Sequence, residues 1–230
     1  MEPLFLAVIC GCNAGLFRDA LHEVYLPRIQ REDAHFAANV LGARGALLSV
    51  LIHFFEQGHW GSPVQTGAEG QALTGEDQLF VLIQAAVHLT ATQESAPEAR
   101  HCYERAEALC HSLDRPLDLY LALMGQWRYS CMTEKLSVAF RIAKRIHALA
   151  QRQPDARLMI GAYNAMVNTP FWMGDFEAAR QYQKRVFTIL RSGHARSQFE
   201  EVDSQAVACL CHEGLFRWHF GKASSCRAPD

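Results

Sequence analysis

The sequence predicts an all-α protein assembled from a repeated pair of antiparallel helices with a period of about 40 residues. Three observations carry that expectation. EARHCYERAEAL from Glu98, VAFRIAKRIHAL from Val138 and AARQYQKRVFTI from Ala178 align at an offset of 40, with Ala99, Ala139 and Ala179 in one column and Arg105, Arg145 and Arg185 in another. Their apolar residues, Cys102/Ala106/Leu109, Ile142/Ile146/Leu149 and Tyr182/Val186/Ile189, fall with the column alanines at i, i+3, i+7 and i+10, the stripe of an amphipathic helix. The preceding segments keep the same register. Leu79/Phe80/Ile83/Val87, Leu119/Tyr120/Leu123/Trp127 and Met159/Ile160/Tyr163/Val167 are all apolar, in a chain that is only half apolar.

The elements follow in chain order. Gly15-Leu-Phe-Arg-Asp-Ala20 echoes Gly174-Asp-Phe-Glu-Ala-Ala179, and Gly58-His-Trp60 and Gly221-Lys222 mark similar turns at spacings of 43 and 47 residues from their neighbours. Thr74-Gly-Glu-Asp77 reads as a capping box opening a first helix, because each end residue can satisfy the other's free amide. Ala85, Gly125 and Ala165 share one position, where small residues let two helices approach closely. Pro97 suits the first residue of a second helix, and Pro116 and Pro154 separate units. Pro170 lies late in a first helix and is expected to kink it or end it early. The count is about five units in a single domain over 1–230, the first beginning inside its first helix, followed by a sixth that stops just after its turn, with an irregular tail at 224–230.

A helix over 206–220 carries Val207, Leu210, Leu215, Phe216, Trp218 and Phe220. Only the nine residues from Lys222 to Asp230 remain after Gly221, too few and too poor in helix formers to cover it. Fraying or self-association through this uncapped end is therefore expected.

Composition narrows the function classes. With 22 Lys+Arg against 24 Asp+Glu the net charge is −2, which argues against a nucleic-acid-binding arm. The eight cysteines form no C-x-x-C, so a reducing, cytoplasmic setting is expected without a zinc ribbon or redox pair. The apolar run Leu4–Cys10 is flanked by Glu2 and has no Lys or Arg before Arg18, the wrong flank for a signal peptide. No run of 18 apolar residues announces a membrane span.

Catalytic and metal signatures are missing from the sequence. No G-x-S-x-G occurs, and Gly221-Lys222 lacks a P-loop frame because Phe216 and Ala223 stand where glycine and Ser/Thr are needed. Cys209-Leu-Cys211-His212 places two cysteines in different directions on a helix, so they read as buried structural residues. His101, Cys102, Cys110 and His111 read likewise. Arg105, Arg145 and Arg185 read as a solvated helix face, with a ladder for an acidic partner as the alternative. Trp127 reads as core, Trp60 and Trp218 as closing small clusters beside turns, and Trp172 is left undetermined. No catalytic residue, metal site or cofactor is expected.

Gly174-Asp175-Phe176 followed by Ala179 resembles the turn of a tetratricopeptide repeat in a longer variant. LHEVYLPRIQ from Leu21, VLGARGALLSVLIHFFEQGHWGSP from Val40, YERAEALCHSL from Tyr103, LALMGQWRYS from Leu121 and CLCHEGLFRWHFG from Cys209 resemble the C-terminal repeat region of bacterial signalling ATPases, many of which also carry a class III adenylate/guanylate cyclase domain. The resemblance implies a right-handed superhelical solenoid, its first helices lining a concave face. It also implies a non-catalytic sensor or interaction arm for a protein or peptide partner or a small effector. The alternative is an all-helical enzyme with a site between repeats. Positions beside the buried stripe are polar in most copies, Gln84/His88, Met124/Arg128 and Asn164/Asn168, and are the expected groove, with Gln84, His88, Arg128, Asn164 and Asn168 as binding candidates. No nucleic acid or membrane partner is expected.

Overall fold

The structure, a computed structural model, describes residues 2–32, 35–92, 97–133, 135–191 and 205–221. Among the described residues the regular structure is helical, without a strand; Phe55 and Pro63 form one isolated bridge. No described helix is long and apolar enough to cross a membrane. The chain divides into two compact units, Met1–Tyr129 and Ser130–Asp230.

The first unit opens with α1 (Glu2–Asn13). A left-handed Gly15 (φ 76°) lets the Leu16 amide return to the Gly11 carbonyl at 2.8 Å, a glycine-closed helix end. α2 (Phe17–Asp19) then continues into a π-helical stretch, Ala20–Gln30, which contains Pro27 and ends at left-handed Arg31. α3 (Phe36–Asn39) and α4 (Arg44–Leu51) follow, then two short 3-10 turns, Ile52–Phe54 and Glu56–Gly58. Tyr25 packs edge-on against Phe54 and Phe80, each at 6.3 Å.

Residues 59–74 contain no helix, which corrects the expectation that helix pairs run through the whole chain with an inter-helix turn at Gly58-His-Trp60. Gly58, Gly61, Gly67, Gly70 and Pro63 make this stretch a poor helix former. It is tied down instead by side chains and close backbone approach. Gln71 and Asp19 exchange two hydrogen bonds at 3.0 Å, the Ala68 amide donates to the Gly15 carbonyl at 3.0 Å, and the His101 ring lies against left-handed Gly61. Trp60 closes on Phe55 at 5.0 Å.

α5 (Gly75–Thr92) starts at the expected capping box: the Thr74 amide donates to Asp77 Oδ2 at 2.9 Å and the Asp77 amide to Thr74 Oγ1 at 3.2 Å. α6 (Pro97–Ser112) begins on Pro97 and packs along α5. α7 (Pro116–Met132) begins on Pro116 and runs across the boundary between the units. Gly125 on α7 lies against the ring of Tyr103, the close approach that its small side chain permits.

The second unit holds α8 (Leu136–Ala150), α9 (Ala156–Trp172), α10 (Phe176–Arg191) and α11 (Gln205–His219), with α8, α10 and α11 all packed on α9. Asp155 caps α9 by accepting the Arg157 amide at 2.8 Å. Of the two outcomes expected of Pro170, a kink or an early end, the early end does not occur: α9 runs on to Trp172. It sits in the last turn, where the one bond its missing N–H removes, to the Met166 carbonyl, is followed by little further helix, and its carbonyl accepts the Asp175 amide at 2.8 Å across left-handed Gly174. Gly221 is also left-handed, with φ 73°. Lys222 and the expected tail at 224–230 lie outside the described residues.

Candidate functional site

The groove positions separate sharply in burial. On α5, Gln84 is half-buried, whereas His88 is 1% exposed and neither of its ring nitrogens has a hydrogen-bond partner. Burial, with the charges of Arg44 and His35, pushes the His88 pKa down to about 4, so the ring is a neutral core group at pH 7. This corrects its reading as a groove residue. α4 packs on α5 as α6 does, so the position beside the α6-facing stripe is covered as well.

On α7, Met124 is half-buried and Arg128 exposed. Between them Gln126 turns inward, its Nε2 donating to the Tyr103 carbonyl at 3.3 Å and to Glu107 Oε2 at 2.6 Å.

In the second unit α11 occupies the polar row of α9. Asn164, which is buried, donates from Nδ2 to Gln205 Oε1 at 2.7 Å, and the Cys209 thiol points at Asn164 Oδ1 at 3.8 Å. The Ala208 carbonyl can only accept, so the 2.9 Å contact puts the His212 proton on Nδ1 and leaves Nε2 to accept from Asn168 Nδ2 at 3.3 Å. Gln183 of α10 adds a bond from Nε2 to the Cys209 carbonyl at 2.6 Å. Asn164 and Asn168 therefore hold helix to helix, which corrects their reading as ligand contacts. Of the five candidates Arg128 alone is exposed; Gln84 and Asn168 are half-exposed, and Asn168 is engaged by His212.

The remaining singled-out residues divide similarly. Arg105, Arg145 and Arg185 are exposed on their second helices, and Arg185 lies over the Tyr182 ring at 5.5 Å. Cys102, Cys110 and Cys209 are buried, and burial pushes the Cys102 and Cys209 thiols up to about 12 and that of Cys110 to about 11, far from a reactive thiolate. Cys211 is exposed, which corrects the reading of a buried pair. Trp127 is core, as expected from its place on the stripe, although Val87 in the same column is exposed. Trp218 closes no cluster but stands 68% exposed, and Trp172 is also exposed. No His/Cys/Asp/Glu group among the described residues is arranged to hold a metal ion.

One constellation escaped sequence reasoning. His22 Nε2 lies 2.7 Å from Oδ1 of the capping Asp77, and Arg18 Nε lies 3.7 Å from Oδ2. Burial pushes the Asp77 carboxyl up, but bonds from Thr74 and His22 outweigh it and hold the group below the ordinary carboxylate value. The capping box was visible locally; His22, 55 residues away, leaves no local signal. An Asp that orients a His supplies two of the three members of a nucleophilic triad. Among the described residues no Ser, Thr or Cys bonds to His22 to complete one.

Compared with family models, with curated proteins and with solved structures, the chain matches none.

Proposed function

We propose that the chain is a non-catalytic recognition module, a right-handed solenoid of tetratricopeptide type with a period of about 40 residues, similar to the C-terminal arm of bacterial signalling ATPases and cytoplasmic like them. The observation that carries this reading is the recurrence of helix ends. Three first helices close at Thr92, Met132 and Trp172, and the closing bond from the Lys135 amide to the Ser130 carbonyl at 2.9 Å recurs 40 residues later from Asp175 to Pro170 at 2.8 Å. Chemically equivalent helix pairs that offer different side chains suit recognition of a protein or peptide, or of a small effector, better than a single reaction. Arg128 and Gln84 are the contact candidates that remain accessible.

A photo-crosslinking side chain at position 128, set against one at buried position 164, tests this in cells that express the full chain. One recurrent protein or effector adduct from position 128 is the expected result; adducts equally frequent from both positions, or none, would contradict it.

The His22–Asp77 pair favours a second reading, an all-helical enzyme with His22 as base. Under the module reading His22→Gln changes stability alone.

A further inference from the structure

We infer that the outward face of α8 and α10 is a docking surface for an acidic segment of a partner polypeptide. The inference rests on the module reading and gives its partner a chemistry.

The net charge of −2 conceals a division. The second unit holds 14 Lys+Arg against 9 Asp+Glu, a balance of +5, and the first holds 8 against 15, a balance of −7. α8 contains no acidic residue and α10 only Glu177. Exposure then gathers the cations on one side of each helix: Arg141, Lys144 and Arg145 on α8, Lys184, Arg185 and Arg191 on α10. Among the described residues Arg141, Lys144, Lys184 and Arg185 make no ion pair.

The two stripes belong to adjoining helices. His147 of α8 meets Tyr182 of α10 at 6.1 Å, and both meet Tyr163 of α9, at 5.3 and 6.2 Å. Arg185 sits at this seam, since its charge joins burial in holding the His147 ring below its ordinary pKa. A surface of this kind attracts anions, and three features select a carboxylate-bearing peptide. The Phe140 ring is covered by Lys144 at 4.3 Å and Tyr182 by Arg185, while His147, Tyr163 and Tyr182 face one another, leaving no open platform for a stacked base. No large apolar side chain is exposed on α8 or α10, so nothing would insert into a bilayer. Arginine forks match carboxylates in bidentate geometry, and a helix the length of α8 spans about 22 Å, the reach of roughly seven extended residues.

The test uses the full chain and a fluorescein-labelled ten-residue peptide of alternating Glu and Ser, read by fluorescence anisotropy at about 50 mM and about 300 mM salt. Binding is expected that weakens roughly tenfold between the two salts and roughly tenfold again in R141E/K144E/K184E/R185E. Arg28→Glu, exposed in the first unit, should leave binding within about twofold, and matching circular dichroism melts verify that the fourfold variant is folded. A fourfold variant that binds as the wild type does would overturn the inference. So would tighter binding of a uridine decanucleotide or a phosphatidylserine vesicle that the same variant loses, because the face then serves nucleic acid or membrane. Tighter peptide binding after E200Q/E201Q/D203N would overturn it too, by showing the chain's own acidic segment to be the occupant. No peptide binding at all removes this partner chemistry but not the module reading, which the crosslink from position 128 tests separately.

Discussion

The ring of Tyr103 on α6 fills the space in which a side chain at Gly125 on α7 would begin: a Cβ there would overlap the ring's Cζ and Cε1. Forty residues on, the same two positions hold Ala143 and Ala165, both fully buried. A large residue against none and two small residues are alternative ways to fill a close helix approach.

Gly125→Ala should therefore destabilise the protein. The helix gains about 1 kcal/mol from alanine's propensity, but overpacking a buried aromatic costs about 1–3 kcal/mol, and Tyr103 is only 3% exposed, with no room to withdraw. Urea unfolding should show a net loss of up to about 2 kcal/mol. The double variant Gly125→Ala/Tyr103→Leu should lose less than the two single losses combined. A more stable Gly125→Ala variant would refute the contact.

His88 makes stability fall with acid. Its folded pKa, about 4, lies below the ordinary 6.5, so the unfolded chain binds the proton first. Stability is complete above pH 6.5 and is lost as pH falls from there toward 4, by up to about 3 kcal/mol. Asp77, also held below its ordinary value, adds a loss at lower pH still. Since neither His88 nitrogen has a partner, His88→Leu should cost little at pH 7 and flatten the urea midpoint between pH 7 and pH 5. A loss above about 2 kcal/mol at pH 7 would mean that the ring nitrogens are satisfied after all.

What the sequence made legible was local. Thr74 with Asp77, Pro97, Pro116 and Gly174 act within a turn of where they stand, so their helix boundaries were readable, and a helix over 206–220 was expected where α11 runs from Gln205 to His219. Long-range placement was not readable. The π-helical stretch and the loop at 59–74 are held by contacts such as Gln71 with Asp19, 52 residues apart. His88 is buried by α4 and the asparagines of α9 by α11, helices whose docking sides no periodicity announces. The cationic stripes were hidden for another reason: averaging over the chain cancels them against the acidic first unit.

Asn164 and Asn168 should act on α11 and not on a ligand. Asn164→Ala/Asn168→Ala removes the bonds to Gln205 and His212, at about 1–3 kcal/mol for each buried group left unpaired. Hydrogen exchange should accelerate across 205–219 while α5 and α6 are unchanged. Unaltered protection of α11 would return both residues to the list of ligand contacts.

α11 carries a second apolar stripe opposite its packed one. Val207, Leu215 and Trp218 are exposed along the line that includes Cys211, and a helix apolar on both sides is normally covered. Size-exclusion chromatography at rising concentration should reveal self-association that Leu215→Glu/Trp218→Glu abolishes, and mild oxidation should trap it through Cys211. A strictly monomeric wild type would contradict this.

Whether the helix pairs are copies of one unit is decided by pulsed dipolar distances between spin labels within each pair. Labels at Thr92 and Glu104 report on α5 and α6, and labels at Trp172 and Lys184, 80 residues on, report on α9 and α10; all four positions are exposed. In a background lacking the exposed Cys10 and Cys211, coincident distance distributions are expected for the two pairs. Means that differ by more than a helical turn, about 5.4 Å, would contradict that expectation.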